Sequence, residues 1–249
     1  YHMSWAVQIL PYLEQQNMRL EAVTLLEKTE VPKDVSVVLI AGPTHRFIET
    51  ELAALEGYLE RGGRLLALVD PAADSGLDDL LERWGIALGQ DIVVDPAQQL
   101  PFVSAGNLFV TTYTEHPVVK KMQTLMTLFP LARSVTPIGA RAELKVTTLA
   151  MTSPKGWGET TTGQTAFTFD EGQDRKGPVS IAAAVERRTA EGLMRLIVIG
   201  DSDFIANGQI TNVGNGDLAI GALQWLTNQE QLMGIGPKPL ESIRLNLTG

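Results

Sequence analysis

Three short apolar runs constrain this fold more than any other feature of the chain. Residues 35–41, 64–69 and 193–199 are rich in Val, Leu and Ile, with little alternation between polar and apolar positions. Strands of that composition are buried on both faces, as in a parallel sheet covered by helices. Between the first two, Phe47, Leu52, Leu55, Tyr58 and Leu59 recur at helical spacing, and Gly62-Gly63 supplies a stop. A second helix is expected over 76–84, ending at Gly85, and another over 4–17, ahead of a strand at 19–25. Strand and helix therefore alternate through the first 85 residues with short connections. That order predicts an α/β fold: a Rossmann-like parallel sheet with helices on both faces.

The second half reads differently. A short strand is expected at 92–95, then a loop over 96–106 and a helix from Glu115-His116-Pro117 to 128. Strands follow over 131–151. The Thr- and Gly-rich stretch 152–165 is expected to be the most flexible segment. Residues 179–185 and 193–199, joined by the charged link 186–192, predict a hairpin and add antiparallel strands to the sheet. A last helix is expected over 217–227, with Leu218, Ile220, Leu223, Trp225 and Leu226 as its apolar contacts. The reading gives one α/β domain over 4–233, with 91–165 as an irregular insertion or subdomain and 234–249 as a tail without clear period. Tyr1-His2-Met3 reads as a cloning remnant.

Composition narrows the function classes. Lys and Arg number 20 against 29 Asp and Glu, a formal charge of −9 that opposes a nucleic-acid partner. There is no cysteine, so thiol nucleophiles, thiolate metal sites and disulfides are excluded. His2, His45 and His116 are the whole supply of imidazole. No apolar run approaches the roughly 20 residues that a membrane-spanning helix needs.

Gly200-Asp201-Ser202-Asp203 follows an apolar strand, the position where open α/β sheets bind ligands. Gly-Asp-Ser is also an esterase signature, but serine needs a base to take its proton, and no histidine follows this motif. The carboxylates are expected to brace the turn; a hard cation held by Asp201, Asp203 and Asp70 is the alternative. Gly214-Asn215-Gly216-Asp217 precedes a helix but lacks the third glycine of a phosphate-binding loop, and Asp217 is expected as its N-cap. His45 and His116 are expected as surface loop residues, and 170–174 as a solvated acidic loop. Trp5, Trp84 and Trp225 are expected in the core, whereas Trp157 is expected to be exposed and free to contact a partner or sugar. No metal or cofactor site is expected. Thr44, Asp70, Asp201, Asp203, Asn215 and Trp157 are the candidate ligand edge.

Five segments together carry a resemblance. They are Val31-Pro32-Lys33-Asp34 leading into 37–43, YLERGGRLLALVDP at 58–71, Lys176-Gly177-Pro178, IGDSDF at 199–204, and NGDLAIGALQWL at 215–226. The set resembles the gliding-motility-type ABC transporter auxiliary proteins, whose domain is related to one in an intraflagellar transport subunit. The resemblance implies a class I glutamine-amidotransferase-like fold without its catalytic cysteine. It further implies a non-catalytic, extracytoplasmic (periplasmic) domain anchored at the bacterial inner membrane, acting as scaffold or ligand-presenting subunit beside an ABC permease and ATPase. Carbohydrate or peptide binding is the alternative, and a hydrolase the remaining one. Two departures stand out: the family's opening strand is not visible, nor is the membrane helix expected after the tail.

Overall fold

The computed structural model describes residues 13–14, 17–25, 30–101, 103–139, 141–161, 167–206, 208–227 and 241–246. The helix expected over 4–17, Trp5 and the segment 162–166 lie wholly or mostly outside them. The chain opens with β1 (Met18–Val23) and β2 (Val37–Ala41), then α1 (Glu49–Glu60), β3 (Arg64–Leu68), α2 (Asp78–Arg83), β4 (Ile86–Leu88) and β5 (Ile92–Val94). The middle holds β6 (Leu108–Val110), β7 (Thr112–Tyr113), a 3-10 helix (Pro117–Thr124), β8 (Thr127–Phe129), β9 (Val135–Pro137), β10 (Lys145–Met151) and β11 (Trp157–Glu159). The last part is β12 (Arg175–Lys176), β13 (Ser180–Arg188), β14 (Leu193–Ile199), α3 (Asn215–Leu226) and β15 (Glu241–Asn246).

Eight strands form the main sheet in the order β1-β15-β2-β3-β14-β13-β10-β7. From β1 to β14 neighbouring strands are parallel. From β14 to β7 they are antiparallel. Three small antiparallel sheets complete the described structure. The expected parallel sheet is therefore half of a mixed one. Antiparallel pairing dominates once the hairpin β13–β14 recruits β10 and β7.

Burial explains the uniformly apolar central strands. Val37, Leu39, Leu66, Leu68, Ile197 and Ile199 point to one core, shared with α3 and the 3-10 helix. Val38, Ile40, Leu65, Ala67, Leu196 and Val198 point to the other, shared with α1 and α2. With alternate residues facing opposite sides and both sides dry, these positions favour apolar side chains; Arg64 and Arg195 stand nearer the amino ends of β3 and β14. Trp84 fills the second core and is fully buried; the Arg187 and Arg141 guanidiniums lie 4.7 and 5.3 Å from its ring centroid.

The expected glycine stop is observed. Gly62 takes φ +88°, and a Cβ on Gly63 would sit 2.5 Å from Tyr58, so the turn into β3 excludes larger residues at both positions. The helix expected over 115–128 is instead a 3-10 turn followed by a strand, since Pro117 opens it but Thr127–Phe129 pairs with β6. The stretch 91–165 is not set apart from the sheet, because β7 and β10 belong to it. The stretch read as a tail supplies β15, which lies between β1 and β2 with Ile243 beside Val37 and Leu245 beside Leu39.

A chain ending at residue 233 would leave β1 without its only described strand partner and open the edge of β2. Urea unfolding is expected to shift to lower denaturant, and the β1 amides to lose hydrogen-exchange protection. An unchanged midpoint and unchanged protection would show that β15 adds nothing.

Candidate functional site

Because β2, β3 and β14 run parallel with Ala41, Leu68 and Ile199 in register, the loops that follow them share one edge of the sheet. Gly42 donates its N–H to Leu68 O at 3.0 Å and takes φ +54°. Asp70 lies just beyond β3. Its Oδ1 accepts the Ser202 backbone N–H at 2.6 Å and its Oδ2 accepts the Ser202 hydroxyl at 2.8 Å. A Cβ at position 42 would stand 2.6 Å from Ser202 Oγ and 3.0 Å from Asp70 Oδ2. Gly42 thus gives this pair its room.

Asp201 is 1% exposed, and its Oδ1 accepts the Asp203 N–H at 2.7 Å. Its Oδ2 is buried with no hydrogen-bond partner. Burial, then the neighbouring Asp70 charge, pushes the Asp201 carboxyl well above the usual range. Burial raises Asp70 as well, opposed by the two Ser202 hydrogen bonds. Asp203 and Thr44 are exposed, and the Thr44 hydroxyl lies 3.1 Å from His45 Nδ1.

Beneath this edge sits Arg133, which the sequence reading missed. Its side chain is wholly buried. Nε donates to Gly89 O at 2.8 Å and Nη1 to Asp70 O at 3.3 Å. Nη2 has no hydrogen-bond partner and lies 3.9 Å from Asp78 Oδ1. Burial lowers the Arg133 pKa, while Asp78, Asp91 and Asp70 hold it up. A cleft of about 350 Å³ opens at the same edge of the sheet, lined by Arg46, Asp74, Asp78, Asp79 and Gln90 among others. Arg46 donates to Asp74 at 2.5 Å across its mouth. A larger cleft of about 550 Å³ lies at the opposite, amino ends of the strands, against Gly62-Gly63.

The other expected edge residues are elsewhere engaged. Asn215 is fully buried; its Oδ1 accepts Leu128 N–H at 2.9 Å and its Nδ2 donates to Leu128, Phe204 and Gln209 carbonyls. It staples three segments and is no part of a ligand edge. Trp157 is 9% exposed on β11, in a separate small sheet, with Nε1 donating to Glu159 and Phe169 edge-on at 6.2 Å. The expected exposed aromatic is a buried one. Asp217 is not the N-cap of α3 either, because the helix starts two residues earlier and places it in the first turn.

His116 is buried rather than on the surface: Nδ1 accepts the Val118 N–H, and the ring stands edge-on to Trp225 at 5.0 Å. Burial pulls its pKa down to about 4. Among the described residues no three His, Cys, Asp or Glu converge as a metal ion would require, so the cation reading of Asp70, Asp201 and Asp203 lacks a ligand set. Chemically the edge offers a serine hydroxyl that donates to a carboxylate, not one that gives its proton to an imidazole.

The unpaired Asp201 oxygen has a measurable consequence. A carboxyl whose pKa is raised on folding contributes stability below its unfolded pKa and loses it as pH rises through the raised value. Melting curves of the wild type and Asp201→Asn are expected to lie close together near about pH 4 and to separate toward about pH 8, with the variant the more stable. Parallel curves across that window would show that Asp201 is not held protonated by the fold.

Comparisons with known proteins agree with this architecture. Among solved structures, the mmIFT52 N-terminal domain superposes with a TM-score of 0.61 and 19% identity, covering 84% of this chain and 81% of that one. At that identity the likeness speaks for the fold alone. A search of curated proteins returns no significant match. The family model for auxiliary proteins of the "ABC-type uncharacterized transport system" matches residues 7–233, nearly the whole chain and every strand of the main sheet except β15. The chain belongs to that family of ABC transport auxiliary proteins.

Proposed function

We propose that the chain is a non-catalytic, extracytoplasmic subunit of an ABC-type transport system. It is held at the bacterial inner membrane beside a permease and an ATPase, which it serves as a scaffold or ligand-presenting domain. The observation that carries this reading is the fate of the polar groups at the strand ends. A hydrolase on an α/β sheet keeps its nucleophile exposed with a base in reach. Here both hydrogen-bond donors of Ser202, its N–H and its hydroxyl, are spent on Asp70, and the Asp201 carboxyl braces Asp203. His116 serves as a cap beside Trp225. The strand ends are built to hold a shape. Parallel central strands with helices on both faces also favour a class I glutamine-amidotransferase-like origin for this half of the sheet.

No helix among the described residues is long and apolar enough to cross a membrane. A second reading, capture of a carbohydrate or peptide, is favoured by the cleft at the same edge.

Affinity purification of the full-length protein from its native membrane is expected to recover a permease and an ATPase in fixed proportion. Their absence after mild detergent extraction would count against the subunit reading. Turnover of an ester, amide or glycoside that Ser202→Ala abolishes would overturn the non-catalytic one.

A further inference from the structure

The Asp201 carboxyl is buried in surroundings that suit only its neutral form. It is 1% exposed, its Oδ1 accepts a single N–H from Asp203, and its Oδ2 has no hydrogen-bond partner. The Leu131 N–H is the one other group that favours its charge. The charged groups that face it are both negative: Asp70 from the end of β3 and Asp203 from its own turn. Arg133 meets this turn through its backbone, donating N–H to Gly200 O at 2.8 Å, while its guanidinium is directed to Gly89, Asp70 O and Asp78. His45, beyond β2, is exposed and engages Thr44. No cation therefore offsets a charge on Asp201. Asp70, with both oxygens matched by Ser202 donors, is the member of the pair fitted to hold the one negative charge.

The same bonds define a short movable piece. Residues 201–203 are held to the edge by the Ser202 N–H and hydroxyl on Asp70 and by the Asp203 N–H on Asp201. Both flanks are fixed. Gly200 donates its N–H to Ile181 O at 2.9 Å, and a Cβ there would stand 2.1 Å from Arg133 O. Phe204 is buried 5.4 Å from Phe129, and its carbonyl accepts Asn215 Nδ2 at 2.9 Å. Between these anchors Ser202 is half-buried and Asp203 exposed, so water lies directly outside the turn.

We propose that residues 201–203 form a proton-operated latch. While Asp201 keeps its proton, the turn stays clasped to Asp70. When the proton passes to solvent, a second negative charge stands in the same buried space. Hydrating that charge costs three hydrogen bonds and no core contact, so the turn swings outward and the clasp opens. Opening frees the Ser202 donors and leaves two ionised carboxylates at the edge where open α/β sheets meet their ligands. The shape and charge of that edge thus depend on pH. This goes beyond the subunit reading and holds whichever partner the domain serves.

The test is an NMR titration of the chain with carboxyl-labelled aspartate, from about pH 3 to about pH 9. The Asp201 carboxyl is expected to titrate above the ordinary carboxylate range. The Ser202 and Asp203 amide signals are expected to move with the same midpoint and to lose exchange protection above it, relative to their intrinsic rates. Asp201→Asn is expected to keep both amides protected at high pH. Asp70→Asn, which removes the neighbouring charge, is expected to bring the Asp201 midpoint down toward the ordinary range. Circular dichroism establishes that each variant is folded, and if either is not, the wild-type titration decides by itself.

An Asp201 carboxyl titrating in the ordinary range would overturn the proposal. So would Ser202 and Asp203 amides that stay still and protected through the Asp201 midpoint. Loss of protection in β2 and β3 at that same midpoint would also overturn it, by showing that the whole sheet loosens and not one turn.

Discussion

A strand with a dry core on each side cannot carry chemistry along its length. In this protein β2, β3 and β14 are such strands, and the rest follows from their confinement. Apart from Arg64 and Arg195 toward their amino ends, the strands turn apolar side chains to one layer or the other, so polar groups collect where the strands stop. Asp70, Asp201, Ser202 and Asp203 all appear within a few residues of a strand end. Once there they are close enough to act on one another. The close approach is possible because position 42 has no Cβ.

That crowding has an electrostatic cost, which the structure meets unevenly. Asp70 receives two hydrogen bonds from Ser202, whereas Asp201 keeps one oxygen unmatched. Arg133 offsets part of the negative charge from below, yet it too is left one partner short. Two incomplete buried groups close to one edge mark it as the least settled part of the molecule. At the opposite ends of the strands the turns are glycine-built, with Gly62 packed against the hairpin turn at Gly192 beside the larger cleft.

How much of this was legible in the sequence depended on range. The central strands, α1 and its glycine stop, and the hairpin β13–β14 are fixed by neighbours within a few residues, and local pattern revealed them. The strand-end position of Asp70, Asp201 and Asp203 was readable for the same reason. The partners that decide burial were not. Trp157 sits in a loop-like, Gly- and Thr-rich sequence, and only its pairing opposite Val94 and Lys176 gives it a covered face. Asn215 looks like a turn residue until residues 87 positions away supply its hydrogen bonds. Arg133 gave one faint signal, a lone cation inside the apolar run 131–135. β15 gave less: six residues of mixed polarity become a strand because two others flank them.

The placement of β15 sets a timetable. Five of the main sheet's strands are made with their neighbours already present or soon to follow, but β1 emerges from the ribosome more than two hundred residues before the strand it rests against. Until then the amide edge of β2 faces water on its outer side, and β1 has no native seat. Completion of this sheet is thus a late event in biosynthesis, and a nascent chain must be shielded from pairing that edge with a stranger.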